Sequence, residues 1–276
     1  MPSQSEKAAR FAAMHETGCF VLPNAWDFAS AAITIDEGYE VIATTSAGVA
    51  FAQGFPDGES IGRERMIGLA GRLAARFDVP VTADLEAGYG ATAEDVAVTV
   101  RDAIAAGLVG CNIEDGVPGT TALFNRGLSA ARIAAGVAAA RAAGLPDFCL
   151  NARIDSYIRK FGTPEQCFDE AVARARLYLA AGARSVFVPA VLDKPTIAAL
   201  TQAIGGPVNV MAIGGGVTPS YAELAELGVR RVSLGGSWMS ATYGAALDAL
   251  RAVKKTGSFD YPAGLSHGQF MRMMTA

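Results

Sequence analysis

Short β-rich runs alternate with longer alanine-rich stretches of helical period along nearly the whole chain, and that alternation is the signature of parallel βα units. Eight runs read as strands: Cys19 to Pro23, Val41 to Thr45, Val79 to Asp84, Gly110 to Glu114, Phe148 to Arg153, Ser185 to Pro189, Val208 to Ala212 and Arg231 to Leu234. Most are almost continuously apolar, as strands covered on both faces must be, whereas a half-exposed antiparallel sheet would alternate. The intervening segments carry helix signals. Between Thr92 and Ala106, Thr92 and Asp95 form a capping-box pattern, Val96, Val100 and Ile104 share one face, and Gly107 ends the run. Eight parallel strands in about 250 residues match a (β/α)8 TIM barrel, with a doubly wound open sheet as the competing α/β arrangement. No linker or low-complexity tract divides residues 1–276, so one barrel domain is expected, with a short tail over residues 257–276 that caps the barrel or a neighbouring subunit.

Composition narrows the function classes. A hydrophobic content of 51% supports a large core, and a net charge of −4 offers no basic stripe for nucleic acid. No apolar run reaches the roughly 20 residues that span a bilayer, and Met1 to Arg10 lack the apolar segment of a secretory signal, so the expected location is the cytoplasm. Cys19, Cys111, Cys149 and Cys167 show no CxxC spacing and read as buried thiols.

A parallel barrel carries its active site at the carboxyl ends of its strands. Those ends hold Asn24, Trp26 and Asp27, Thr44 to Gly48 with Asp57 on the following loop, Asp84 and Glu86, Glu114 and Asp115, and Asn151, Arg153 and Asp155, while Asn209 lies on the seventh strand. Asp84 and Glu86 have the i, i+2 spacing of one strand face, and Gly88 and Gly90 permit a tight turn over them. With Glu114 they outline a metal site, because converging carboxylates repel unless a hard cation keeps them ionised. The plainer alternative is helix capping plus a surface acid. Magnesium, or manganese, fits oxygen ligands better than zinc, since neither His15 nor His267 lies near a strand end.

Arg153 sits inside an apolar strand and must have a partner. Asp155 or Glu114 could pair with it structurally, or its fork could hold a substrate carboxylate. Ser46, Ala47 and Gly48, after Thr44 and Thr45, would present a hydroxyl and successive N–H groups as a small anion nest, or form a plain loop. Gly214 to Gly216 and Leu234 to Ser237 follow the last two strands, where many barrels bind phosphate; tight turns explain them equally. None of Lys7, Lys160, Lys194, Lys254 and Lys255 is embedded in a strand as a Schiff-base lysine would be, and no Ser-His-Asp set exists around His15 or His267.

Ser46-Ala47-Gly48, Asp57, the Asp84-Leu85-Glu86-Ala87-Gly88-Tyr89-Gly90 run, Gly110 to Asp115, Asn151-Ala152-Arg153 and Pro207 to Met211 occur in the order seen in the isocitrate lyase and phosphoenolpyruvate mutase superfamily, which the chain resembles over most of its length. The resemblance implies a barrel whose eighth helix is exchanged between subunits of a dimer or tetramer, magnesium as cofactor, and 2-oxo acid or enolate intermediates. It also implies that Asp84 ligates the metal directly, Glu86 and Glu114 mostly through water, that Ser46, Ala47 and Gly48 hold a substrate carboxylate, and that Arg153 holds a second anionic group. Trp26 and Asn209 are further candidates for substrate contact, and Asp57, Glu114 and Arg153 for catalysis.

The departures bear on the reaction. Lyases of the superfamily carry a Lys-Lys/Arg-Cys-Gly-His lid after the fourth-strand acid, whose cysteine protonates the enolate; mutases and phosphonopyruvate hydrolases carry lysine and asparagine there. Gly116 to Asn125 has no cysteine, lysine or histidine. Glu86 also stands where aspartate is commoner. The expected activity is that of a magnesium-dependent carbon–carbon lyase or decarboxylase-like enzyme acting on a small 2-oxo or 2-hydroxy di- or tricarboxylic acid. Phosphorus–carbon mutase or hydrolase chemistry, and non-catalytic binding of a 2-oxo acid, are the alternatives.

Overall fold

The computed structural model describes residues 2–275. Nine parallel strands form one sheet: β1 (Phe20–Leu22), β2 (Asn24–Ala25), β3 (Ile42–Thr44), β4 (Val81–Asp84), β5 (Gly110–Glu114), β6 (Cys149–Arg153), β7 (Ser185–Phe187), β8 (Val208–Met211) and β9 (Arg231–Ser233). Their order, β1-β9-β8-β7-β6-β5-β4-β3-β2, begins and ends on two pieces of the same chain segment, so the sheet closes into a barrel. Pro23 separates the two pieces because it has no N–H to donate. The expected first strand is therefore split: β1 pairs with β9, and β2 continues two residues further to pair with β3. The other seven strands fall where the apolar runs predict them, within a residue or two at each end.

The helices are α1 (Gln4–Ala13), α2 (Phe28–Asp36), α3 (Ser46–Ala52), α4 (Arg63–Arg76), α5 (Ala93–Ala105), α6 (Arg126–Ala142), α7 (Pro164–Ala180), α8 (Lys194–Ile204), α9 (Tyr221–Glu226), α10 (Ser237–Thr256) and α11 (His267–Thr275). In α5 the capping box forms as expected: Thr92 N donates to Asp95 Oδ2 at 2.9 Å, and Asp95 N donates to Thr92 Oγ1 at 3.2 Å. Val96, Val100 and Ile104 face the sheet and are buried.

One end of the barrel is plugged. α1 lies across the amino-terminal mouth, where Gln4 Nε2 donates to Ile104 O and Leu108 O, both at 2.8 Å, and Lys7 Nζ donates to Phe77 O at 3.1 Å. Phe11 fills the opening completely buried, edge-on to His15 and Phe20. Chemistry is thereby confined to the opposite mouth. At the far end of the chain, α11 returns to the outer face of α2: Met273 is buried and Arg272 pairs with Asp36 at 3.0 Å. Met1 and Ala276, the two ends of the expected domain, lie outside the described residues.

Candidate active site

A polar cavity of about 120 Å³ opens at the carboxyl ends of the strands, bordered by Ser46, Ala47, Asp57, Asp84, Asn112 and Arg153. At about 30 Å³ per water this is room for some four waters, or for one small acid. Ser46 opens α3, and its hydroxyl donates to Asp84 Oδ2 at 2.8 Å, joined by its backbone N–H at 3.3 Å. Asp84 N in turn donates to Thr44 Oγ1 at 3.1 Å. These bonds fix one carboxylate oxygen of Asp84; the other, Oδ1, is buried and has no protein partner. Gly48 is required beside it, since a Cβ there would lie 2.6 Å from Thr45 Cγ2 and 2.8 Å from Trp26 Cβ.

The segment after β4 makes a strained turn. Glu86 and Tyr89 both adopt left-handed φ values, 51° and 57°, around Gly88, at a cost of order 1 kcal/mol or more each. Two backbone bonds hold it: Glu59 N donates to Glu86 Oε2 at 2.6 Å, and Tyr89 N donates to Glu59 Oε1 at 2.7 Å. Arg132, from α6, lies beneath and donates to Ala87 O and Gly90 O. Glu86 Oε1 and the Tyr89 hydroxyl end up buried without partners. Burial, with repulsion from Asp84 and then Asp57, pushes the Glu86 carboxyl up to about 8. Burial and Asp84 also raise Asp57.

Glu114 ends β5 directly opposite Arg153 in the β5–β6 register. Its Oε2 lies 2.9 Å from Arg153 Nη1, while Arg153 Nε lies 2.7 Å from Asp155 Oδ1. Burial opposes the Arg153 charge, but Glu114 and Asp155 outweigh it and hold the guanidinium above the ordinary arginine range. Burial raises the Glu114 carboxyl against the pull of Arg153. Both structural partners anticipated for Arg153 are therefore real. Three of its five N–H donors are committed to them, and the side chain still borders the cavity.

The metal reading requires adjustment. Among the described residues no three His, Cys, Asp or Glu side chains converge closely enough to hold an ion. Glu114 pairs with Arg153 at 2.9 Å, which leaves it compatible with a water-mediated role rather than with direct ligation beside Asp84. What stays compatible with a hard cation is the pair of buried, unpartnered oxygens Asp84 Oδ1 and Glu86 Oε1, in a site where burial first and mutual repulsion second raise the carboxyls of Asp57 and Glu86.

Trp26 and Asn209 do not border the cavity. Trp26 packs behind Gly48 with its ring 4.6 Å from that of Trp238. Asn209 lies one layer deeper, where its Oδ1 accepts from Ser233 Oγ at 2.8 Å. The glycine turn after β9 is no free phosphate cradle, because Leu234 N and Gly235 N both donate to Asn24 Oδ1, at 3.0 and 2.8 Å. Three residues emerge only here. Glu59 supports the Glu86 turn; Asn112 forms part of the cavity; Arg159 lies 3.8 Å from Glu114 and 3.2 Å from Asp155. Asn112 had a usable signal, a polar amide inside an apolar strand, the same signal that marks Arg153. Glu59 and Arg159 had none.

Comparison with known proteins accords with this geometry. The sequence model of the phosphoenolpyruvate phosphomutase family matches residues 11–254. The oxaloacetate decarboxylase of Pseudomonas savastanoi pv. phaseolicola is 30% identical over 264 residues, covering 92% of this chain and 88% of that protein. The chloroplastic carboxyvinyl-carboxyphosphonate phosphorylmutase of Arabidopsis thaliana is 32% identical over 255 residues, 89% of this chain and 74% of that protein. A crystal structure from Burkholderia cenocepacia J2315, provisionally described as a lyase/mutase, superposes with a TM-score of 0.92 at 40% identity, covering 99% of this chain and 98% of that one. The chain belongs to the phosphoenolpyruvate phosphomutase family, and through it to the isocitrate lyase/phosphoenolpyruvate mutase superfamily of lyases, decarboxylases and mutases.

Proposed function

We propose that the protein is a magnesium-dependent lyase of the decarboxylase type, acting on a small 2-oxo dicarboxylic acid. The observation that carries this reading is the cavity itself: Arg153 and Asp84, whose Oδ1 has no protein partner, both border about 120 Å³ of polar space, and Glu86 carries a second buried unpartnered oxygen two residues beyond Asp84. Asp84 would hold the magnesium ion directly, with Glu86 and Glu114 acting through water. Bound there, magnesium supplies polarisation of the substrate's 2-oxo group. The remaining work belongs to the chain. The two N–H donors that Arg153 keeps free grip a carboxylate in a charge-assisted pair. Of Ser46, Ala47 and Gly48, the N–H groups of Ala47 and Gly48 would hold the other end of the acid, since Ser46 gives its hydroxyl and N–H to Asp84.

Proton supply favours decarboxylation over isocitrate-type cleavage. A positioned acid contributes about 10² to 10⁴ in rate, and no side chain in Gly116 to Asn125 can act as one. Asn125 is occupied as the helix cap of α6, with Gly127 N donating to its Oδ1 at 2.8 Å. Asp57 and Asp84 are the carboxyls that border the cavity, and burial, then Asp84, raise that of Asp57 above its ordinary value. Tyr89 is a neutral phenol, raised by burial and by Glu86, but it lies outside the cavity lining. An enolate left by loss of carbon dioxide can take its proton from Asp57 or from solvent.

Turnover of oxaloacetate, a 2-methylisocitrate-type tricarboxylate and phosphonopyruvate, with magnesium and after chelation, tests the reading. Expected are magnesium-dependent loss of carbon dioxide from oxaloacetate and tricarboxylate cleavage far below a typical enzyme's roughly 10 s⁻¹. Asp84→Asn abolishes magnesium-linked binding by calorimetry while the fold persists. Turnover of phosphonopyruvate alone would replace this reading with phosphorus–carbon chemistry, and tight binding without turnover of any of the three would make the protein a 2-oxo acid binder.

A further inference from the structure

The barrel interior beneath the cavity is polar, where such barrels are ordinarily filled with branched apolar side chains. Asn112 and Asn151 face each other in the β5–β6 register, and Asn151 faces Ser185 in the β6–β7 register. Arg231 reaches in from β9, wholly buried. Among the described residues no carboxylate pairs with it, and its Nε and Nη1 have no acceptor; only its Nη2 does, at 3.3 Å from Asn112 Oδ1.

An arginine can only donate. The atom of Asn112 that faces Arg231 is therefore its oxygen. The Asn151 atom 2.8 Å from that oxygen must then be the amide nitrogen, which turns the Asn151 oxygen toward Ser185, whose hydroxyl donates to it at 2.6 Å. One donor-only cation sets the sense of the whole chain, which amides and hydroxyls alone could run in either direction. Reversal would leave the buried guanidinium with no acceptor at all, a large penalty for a charged group. Burial lowers Arg231 to about 10, so it stays protonated at neutral pH. At the upper end of the chain the Asn112 NH2 is the group left over. It donates to no described residue, and Asn112 borders the cavity.

We infer that Asn112 contacts the ligand, its amide NH2 donating to a carboxylate or 2-oxo oxygen from the cavity floor, and that Arg231 is the positioning residue that keeps this donor upward. The inference rests on the reading of the cavity as an acid-binding site. It adds a selection rule, because the floor accepts an oxygen acceptor and rejects an ammonium group in the same place. The small 2-oxo acid should therefore be preferred over its 2-amino counterpart if that group reaches the floor.

Calorimetry with oxalate and magnesium on the full chain tests it with three variants. Asn112→Asp keeps an acceptor for both Asn151 and Arg231 and gives the buried cation a counter-charge, so its thermal midpoint holds or rises. Its affinity for oxalate falls about tenfold or more, because the floor donor becomes an acceptor. Arg231→Lys, still donor-only, keeps the parent affinity, whereas Arg231→Met, which frees the chain to reverse, loses at least about twofold, the cost of an evenly populated reversed sense. A folded Asn112→Asp protein that binds oxalate as tightly as the parent overturns the assignment of Asn112. Parent-like affinity in Arg231→Met removes the positioning role. If the parent binds no small carboxylate at all, the functional reading of the cavity fails and this inference falls with it; should Arg231→Met not fold, Asn112→Asp and Arg231→Lys still decide.

Discussion

Two buried arginines illustrate how differently one residue type is accommodated. Arg153 has two carboxylates at the cavity edge, whereas Arg231 has a single amide oxygen and helps make the barrel core electropositive. His15 records that field. It is buried between Phe11 and Phe20, with its Nδ1 2.9 Å from Phe11 O. Burial first, and Arg231 second, lower it from 6.5 to about 3, so the folded protein holds a neutral imidazole. The unfolded chain protonates near 6.5 while the native state does not. Stability fully present above about 6.5 is therefore lost progressively as pH falls toward about 3. His15→Gln keeps a hydrogen-bond donor but cannot titrate. Its thermal midpoint is expected to fall less than the parent's between about pH 7 and pH 5, and identical acid slopes for the two proteins would contradict the assignment.

The element that sets this chain apart is the segment after β5. Residues 116–123 form a small hairpin, with a bridge between Gly116 and Leu123 and with Val117 N donating to Ala122 O at 2.9 Å. Arg159 ties it down by donating to Val117 O at 3.0 Å and to Thr120 O, and a side chain at Gly116 would run into its guanidinium. The same guanidinium meets Asp155 and approaches Glu114, so the hairpin is anchored to the ion network that holds Arg153. The hairpin is thus held in place beside the ion network of Arg153. Replacing Arg159 with Met should cost roughly 1 to 3 kcal/mol, since it strips hydrogen bonds from buried and half-buried partners. Limited proteolysis within residues 116–123 should speed up about tenfold, and a cleavage rate equal to the parent's would show that the hairpin does not depend on Arg159.

At the scale of the molecule, the two ends of the chain are used unequally. α1 seals the amino-terminal mouth, but α10 leaves Tyr243, Leu247 and Leu250 exposed at 46%, 46% and 70% and buries only Met239. Those three residues lie on one helical face at i, i+4 and i+7. The last helix of a βα barrel ordinarily covers the sheet, so this face lacks the cover that its composition demands. We propose that a second copy provides it, by the helix exchange that the superfamily resemblance implies. Sedimentation of the parent protein should give a dimer or tetramer, and Leu247→Lys with Leu250→Glu should shift it toward monomer. A parent that sediments as a monomer at micromolar concentration would dismiss the exchange. No helix among the described residues is long and apolar enough to cross a membrane.

The barrel was legible because its signals are local. Apolar runs of strand length, helical period and capping pairs such as Thr92 with Asp95 depend on residues a few positions apart, and the chain states them directly. The candidate residues at the strand ends were legible for a similar reason, since a charge such as Arg153 inside an apolar strand demands an explanation. What the sequence by itself could not determine is which side chains share a partner. That Glu114 turns to Arg153 rather than to Asp84 and Glu86 follows from the β5–β6 register. That Pro23 divides the first strand between two neighbours follows from barrel closure. The direction in which Asn112 offers its amide depends on Arg231, 119 positions further along the chain. Such pairings are made across strands by long-range closure, and a hydrogen bond or ion pair only a few ångströms long is decided by tertiary register, which local pattern does not carry.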